Sequence, residues 1–487
     1  MKFRNFFFGV MAILLLPSCH QEKQPDETEI IRIAKEAYIY GYPVVGLYRD
    51  MYVRAIDRKS PRFLKPFNEL AWRSLYDPVA LRTKQTAGDR DDWSRQEAEI
   101  PQTEDNRSPR PGMAYGSVWF DLRNEPCILV VPPTLAGRYF SIQFVDLFSN
   151  TFDYISNRKD GNKGGHYLIA ASEWNGRMPA GISHTVRSPS SYIMGLFRIR
   201  IETAGDFKNV EKLITQFRII PLSHYAGGAT APEIPLVRYP EFTEEKAETP
   251  EFFNYLNFML QFCAIPEDES DILKRFGKIG IEPGKPFDYS VLSETKKKAL
   301  IEGMAAGQAE LEALGRFYSG KLLPDGMVEK TQKNYPYRAY MTDRYLFGSS
   351  PEEILTVVYE TDANRKKLDG KKRYEMRFER KQLPPVGAFW TVTAYSSEKK
   401  PSFKQNSAYI LNSALQILEL NEDGSLVVSI RPEMQESGKG TNWLSVPSGS
   451  FFLLLQLYQP GEEALRGGWS PPKVRILDNT EFENTAL

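Results

Sequence analysis

The sequence predicts a multidomain α+β protein. Two antiparallel β-sandwich, jelly-roll-like units are joined through a helical middle segment, and an N-terminal helix precedes them. Three observations predict it. Between Tyr115 and Pro221, short apolar or alternating runs are separated by Gly and Pro turns, the spacing of sandwich strands. From Thr249 to Phe317 the period lengthens to that of helices with marked caps. After Tyr374 short alternating runs return.

The elements follow in order. Lys2 and Arg4 precede an apolar run from Phe6 to Leu16, the layout of a secretory signal. Eleven residues are too few to span a bilayer, which takes roughly 20. The run ends in Leu16-Pro17-Ser18-Cys19, which resembles a bacterial lipobox with Cys19 as the lipidated residue. The polar stretch from His20 to Glu29 reads as a disordered tether. Glu29 to Ile56 reads as a helix, kinked or broken at Pro43. Residues 57–112 are mixed, and Asp89 to Arg110 reads as a long excursion.

Strands are expected at Ser117–Arg123, Glu125–Pro132, Arg138–Phe148, Tyr167–Ala171, His184–Arg187, Tyr192–Ile201 and Gln216–Pro221. Helices are expected at Thr249–Ile265, Asp268–Phe276 and Ser293–Phe317, with Ser293 as an N-cap. Further strands are expected at Tyr374–Phe378, Phe389–Ser396, Ser407–Leu411, Ser425–Pro432 and Phe451–Tyr458. The expected division is 1–18 signal peptide, 19–29 tether, 30–248 N-terminal domain, 249–345 helical segment and 346–487 C-terminal sandwich.

Composition narrows the function classes. Lys plus Arg and Asp plus Glu each number 62, so no net field draws nucleic acid. The 25 Tyr, 29 Phe and 7 Trp suit β-cores first and ligand-facing surfaces second. Besides Cys19 there are Cys127 and Cys263, which read as buried small hydrophobes, with a disulfide between them left open. Neither a dinucleotide-binding glycine loop nor a phosphate-binding P-loop occurs, so no cofactor is implied. His20, His166, His184 and His224 are scattered and make no zinc spacing, so no metal is implied. Ser-x-x-Lys occurs four times, at Ser156, Ser293, Ser396 and Ser397, without the companion motifs of serine acyl-enzymes.

Several short motifs, taken together, resemble a bacterial family that pairs two domains of unknown function, numbered twelve fifty-four and twelve fourteen. In the N-terminal half they are Ala37-Tyr-Ile-Tyr-Gly-Tyr-Pro43, Ser117-Val-Trp-Phe-Asp-Leu122, Arg138-Tyr-Phe140, Asp146, Trp174-Asn-Gly-Arg-Met-Pro-Ala-Gly181 and Arg198. Gly280-Ile-Glu-Pro-Gly-Lys-Pro-Phe-Asp288 fits in the middle. Leu368-Asp-Gly370, Leu383-Pro-Pro-Val386, Phe389-Trp390, Asp423-Gly-Ser-Leu426, Asn442-Trp-Leu444, Leu457-Tyr458 and Gly468-Trp469 follow. The resemblance implies two sandwich-like units and no settled activity. Two departures stand out. Where the family carries Asn-x-Asp-Thr-Leu-Tyr, this chain has Arg110-Pro-Gly-Met-Ala-Tyr115, and where Arg precedes Leu-Tyr it has Gln456.

The candidate ligand-binding residues are Tyr115, Arg138, Asp146, Arg198, Trp390, Trp443, Gln456 and Tyr458. Asp146 is in phase with Phe140, Ile142 and Phe144, so its carboxylate needs a buried partner. Arg138 or Arg198 is expected to supply it, as a structural ion pair or as a ligand-orienting cluster. Gln456 and Tyr458 share one face of an apolar strand and suit either a pocket floor or a bonded core pair. Trp390 and Tyr395 take opposite faces of their strand; Trp443 suits sugar stacking or packing at a strand start. Asp121 reads as a turn-capping acid. The expectation is a cell-envelope lipoprotein held to the membrane through Cys19 that binds a small molecule or glycan or serves a structural role. The alternative is an envelope enzyme acting on a carbohydrate or carboxylate through an Asp/Arg/Tyr site. Neither reading involves nucleic acid, and both leave room for a homo-oligomer.

Overall fold

The computed structural model describes residues 25–72, 112–227, 233, 236–320, 333–344, 348–397, 409–414, 418–432 and 442–477. The leader, Cys19, most of the tether and the Asp89–Arg110 stretch lie outside the described residues.

Helix α1 (Glu27–Met51) takes in the last three residues of the expected tether, because Asp26 caps it by accepting from Glu29 N–H at 2.8 Å. It passes through Pro43 unbroken and ends in a wider π turn, Tyr52–Ile56. Losing one backbone bond to a proline costs about 3 kcal/mol. Burial outweighs that cost: Ile33, Ala37, Tyr40, Val44, Leu47 and Met51 are all essentially buried, and large apolar side chains gain about 1.5–3 kcal/mol each.

The first sandwich is built from two sheets. Strands β1 (Ala71–Trp72), β2 (Met113–Asp121), β8 (Tyr192–Arg200), β4 (Phe140–Val145) and β5 (Thr151–Ser156) pair in that order. Opposite lie β7 (Ile182–Ser188), β6 (Gly165–Ala171), β3 (Cys127–Val131) and β9 (Arg218–Pro221). Pairing is antiparallel except between β6 and β7. Phe120, Phe140, Ile142, Phe144, Ile193 and Phe197 of the first sheet meet Leu129, Tyr167 and Ile169 of the second. Helix α2 (Phe207–Ile214) closes one side through Val210.

The expected middle helices form at α3 (Phe252–Leu260), α4 (Ser270–Gly277) and α5 (Glu294–Tyr318). Helix α3 is shorter than Thr249–Ile265, and Ser293 caps α5 by accepting from Lys296 N–H. A further helix, α6 (Tyr335–Arg344), was not anticipated. Helices α1, α3, α4 and α5 share one apolar cluster, which also covers Trp119, Tyr192, Met194 and Leu196 on the outer face of the first sheet.

The second sandwich stacks β10 (Ile354–Tyr359), β16 (Phe451–Pro460), β12 (Val386–Ser396) and β13 (Ile410–Asn412) on β15 (Asn442–Leu444), β14 (Leu426–Ile430), β11 (Tyr374–Phe378) and β17 (Val474–Ile476). Among the described residues of this sandwich, only β14 and β15 run parallel. Its core takes alternate residues of each strand, such as Leu453, Leu455 and Leu457. The mixed α+β class with several sheets in separate units agrees with the expectation.

Candidate functional site: a polar layer between the two sandwiches

Alternation leaves the opposite set of side chains on the outer face of the second sandwich's β10–β16–β12–β13 sheet. In a free sandwich that face would meet water. Here it is buried. At one end Val358, Tyr395 and Leu454 pack under α5 and α6. At the other end Ile354, Phe389 and Tyr458 pack against Met113 and Tyr139 of the first sandwich. The Tyr139 ring stands edge-on to Phe389 at 5.8 Å and to Tyr458 at 5.5 Å, and Phe389 stacks on Tyr458 at 4.2 Å.

Between these apolar ends runs a polar row. Thr356 pairs with Gln456, Gln456 with Thr391, and Thr391 with Asn412, in register across four strands. Thr393 lies next along β12, and all five side chains are buried. Gln456 Nε2 donates to Thr356 Oγ1 at 3.3 Å. Among the described residues, no protein group hydrogen-bonds the Thr391 and Thr393 hydroxyls.

The first sandwich presents a matching row on the outer face of its β2–β8–β4–β5 sheet. Tyr115 pairs with Arg198, Arg198 with Ser141, and Ser141 with Ser156. Glu353, just ahead of β10, ends this row: its Oε2 accepts from Ser156 Oγ at 3.3 Å and Arg158 Nε at 3.0 Å. The Glu353 side chain is fully buried, and burial raises its pKa above the usual glutamate range despite Arg158 and Arg198 nearby. Its Oε1 has no hydrogen-bond partner among the described residues. Residues 348–350 are fastened to the same sheet. Gly348 O accepts from Gln143 Nε2 at 2.9 Å and Thr151 Oγ1 at 2.6 Å, and Ser350 N–H donates to Tyr154 Oη at 2.9 Å.

Four of the eight candidates therefore fall in this layer: Tyr115, Arg198, Gln456 and Tyr458. The other four lie elsewhere. Arg138 binds Asp206 with both guanidinium arms, at 2.6 and 2.8 Å, and donates to Arg200 O at 2.7 Å. It is thus a structural ion pair of the first sandwich, but with Asp206 rather than Asp146. Asp146 lies one residue past the end of β4 and folds its carboxylate over the β4–β5 turn. There it accepts from Phe148 N–H at 2.9 Å and Asn150 N–H at 2.8 Å. Burial raises its pKa while those donors and Arg338 oppose the rise. Trp390 belongs to the second sandwich's core. Trp443 sits on β15 with Nε1 donating to Arg431 O at 3.1 Å. Asp121 caps its turn as expected, accepting from Arg123 N–H at 3.1 Å and Nε at 2.9 Å. Cys127 and Cys263 are both free thiols.

Sequence reasoning missed Glu353, Ser141, Thr356, Thr391 and Thr393. The alternation Thr391-Val-Thr393-Ala was available as a signal, but it reads equally as an ordinary water-facing strand side. Among the described residues, no group of three or more His, Cys, Asp or Glu could hold a metal ion, and no helix is long and apolar enough to cross a membrane.

Comparison with known proteins finds two matched regions, and the residues of this layer fall within them. Residues 95–221 match the model described as Protein of unknown function (DUF1254), and residues 353–462 match Protein of unknown function (DUF1214). Their order is the expected one, and the second match begins at Glu353. The VPA0106 protein from Vibrio parahaemolyticus, a crystal structure, has a similar fold at TM-score 0.64 and 23% identity, over 92% of this chain and 100% of that one. An uncharacterized protein from Burkholderia cenocepacia matches at TM-score 0.41 and 12% identity, over 93% of this chain and 94% of that one, a likeness too low to carry an argument. No curated protein matches the chain.

Proposed function

From a chain that carries these two domains of unknown function in this order, we propose a cell-envelope lipoprotein, tethered through Cys19, that binds a small polar molecule or glycan between its two sandwiches. One observation carries the binding reading. Each sandwich brings a polar row to the boundary of the halves, and on the second of them Thr391 Oγ1 and Thr393 Oγ1, both buried, find no protein partner among the described residues. Burying a polar atom without a hydrogen bond costs about 1–3 kcal/mol. Two such atoms side by side on β12 are accounted for if a guest, rather than the protein, satisfies them. The enzyme alternative loses support because Arg138 and Asp146 do not converge with Tyr115.

The test is a thermal-shift measurement against an aqueous extract of small metabolites. A ligand that binds only the folded state raises Tm, and the rise should disappear in Thr391→Val/Thr393→Val. An unchanged Tm in the wild-type chain would count against binding. For the anchor, Cys19→Ala should release the protein from the membrane fraction; a variant that stays membrane-bound would count against lipidation.

A further inference from the structure

We infer that Asn175, in the loop between β6 and β7, is a self-deamidating site, whose side-chain amide nitrogen is displaced by the backbone nitrogen of Gly176. The site lies in the Trp174–Gly181 motif, which the binding reading does not use. Asn-Gly occurs once in the chain. The chemistry needs a side-chain amide one residue before the attacking nitrogen, freedom for the backbone to bend into a five-membered ring, and an attacking N–H that is not spent on a hydrogen bond. Glycine supplies the freedom, because it has no Cβ to crowd the ring and accepts the widest range of φ and ψ. The fold decides the last condition. Residues 174–179 carry no regular secondary structure, and Asn175 and Gly176 are both exposed. Among the described residues, neither the Asn175 side chain nor the Gly176 N–H has a hydrogen-bond partner.

Related dipeptides in the same chain are held differently. Asp160-Gly161, Asp369-Gly370 and Asp423-Gly424 also place glycine after a short acyl side chain. There Gly161 N–H donates to Asn157 O at 3.2 Å, Gly370 N–H to Gly449 O at 2.9 Å and Gly424 N–H to Asn421 O at 2.8 Å. Asn412-Ser413 has the amide, but Asn412 is buried at the end of β13 and Ser413 N–H donates to Trp390 O at 3.0 Å. Attack at any of these must first break a backbone hydrogen bond. At Asn175 nothing has to break. The step balances without a cofactor. The Gly176 nitrogen gives its proton to solvent and attacks Asn175 Cγ; the N–Cγ bond forms, the Cγ–Nδ2 bond breaks and ammonia leaves. Water then opens the succinimide at either carbonyl, leaving aspartate or isoaspartate, and nothing is oxidised or reduced. Each event adds one negative charge to a chain whose formal net charge is zero. The charge appears next to Trp174, whose ring lies under the Arg187 guanidinium at 5.5 Å and whose carbonyl oxygen accepts from Arg187.

The experiment ages the full chain in warm, mildly alkaline buffer, folded and in guanidinium chloride, and follows it by isoelectric focusing and peptide mass mapping. An acidic band should grow in, faster at higher pH because the attacking species is the deprotonated nitrogen. The peptide holding Asn175 should gain the mass difference between a hydroxyl and an amino group and split into aspartate and isoaspartate forms. Its rate in the folded chain should stay within about threefold of the rate in guanidinium, whereas folding should slow the Asn412 peptide tenfold or more, since a core strand opens far less often than an exposed loop. Asn175→Gln, whose extra methylene demands a larger ring, should remove the acidic band. Asn175 rather than Gly176 is varied, because a Cβ at 176 would lie 2.5 Å from the Trp174 ring. An acidic band that persists in Asn175→Gln would overturn the site. A folded chain that keeps its Asn175 amide while the unfolded chain loses it would mean that the loop protects the residue, and would overturn the inference. Equal protection of Asn175 and Asn412 would do the same.

Discussion

Arg138 gives both arms of its guanidinium to Asp206 where neither group reaches much water. Removing one partner of such a pair leaves the other charged and uncompensated, at a cost of about 3–5 kcal/mol. Arg138→Met should therefore lower the unfolding free energy by about that amount, and Arg138→Met/Asp206→Leu should recover part of it. The loss should depend on pH. Hydrogen bonds from Arg138 lead the causes that hold the Asp206 pKa below the usual aspartate value. A carboxyl depressed in the folded state stabilises fully above its unfolded pKa, and that contribution vanishes as pH falls through the folded pKa. Urea denaturation should show the gap between wild type and Arg138→Met widest near neutrality and shrinking below about pH 4, close to the unfolded aspartate pKa. A gap that stays constant down to pH 2 would assign the loss to packing alone. The sequence offered Arg138 as the partner of a buried carboxylate, but of Asp146. The actual partner was not legible, because Asp206 is 68 residues away and only the fold brings it to β4.

Helices α1 and α5 cross closely because α5 has glycine where they touch. A Cβ on Gly303 would lie 2.6 Å from both the Ala34 Cβ and the Ile31 carbonyl oxygen. Two effects oppose each other at this position. Alanine is the better helix former by about 1 kcal/mol, but overpacking costs about 1–3 kcal/mol. The nearest atoms are backbone and a methyl group, and neither can swing aside, so overpacking wins. Gly303→Ala should lower the denaturation midpoint despite its higher helix propensity; a rise would mean that the helices do not meet there. At this scale the sequence was legible where an element depends on itself. Ser293 capped α5 as its position suggested. The reading failed where neighbours decide. Pro43 was expected to kink or break α1; the helix is not broken there, because packing on both sides carries it through. Asp146 was placed in strand phase, yet β4 stops at Val145 and the carboxylate turns back onto the hairpin.

For the whole molecule, the outer faces of two sheets decide the architecture. Each sheet gives part of its outer face to the helices and part to the other sandwich. Period-2 patterns revealed the strands and their inner faces, because one sandwich suffices to bury those. They could not reveal that the outer faces are buried too, since Thr391 and Thr393 look the same under water or under another sheet. That is why Gln456 and Tyr458 were legible as a face while the layer they belong to was not. The coupling of the halves can be measured at Tyr139, whose buried ring contacts Phe389 and Tyr458 across the boundary. Truncating a buried aromatic costs about 3–5 kcal/mol. A core truncation such as Leu129→Ala destabilises one sandwich. Tyr139→Ala acts differently, because it removes contact between units that each keep their own core. Calorimetry should show the wild-type halves unfolding together and those of Tyr139→Ala separating into two transitions. Limited proteolysis should then reach residues 348–350, whose hold on Gln143, Thr151 and Tyr154 depends on the halves staying closed. A single transition in Tyr139→Ala, shifted no more than in Leu129→Ala, would mean that the polar layer and the strap couple the halves without the aromatic contact.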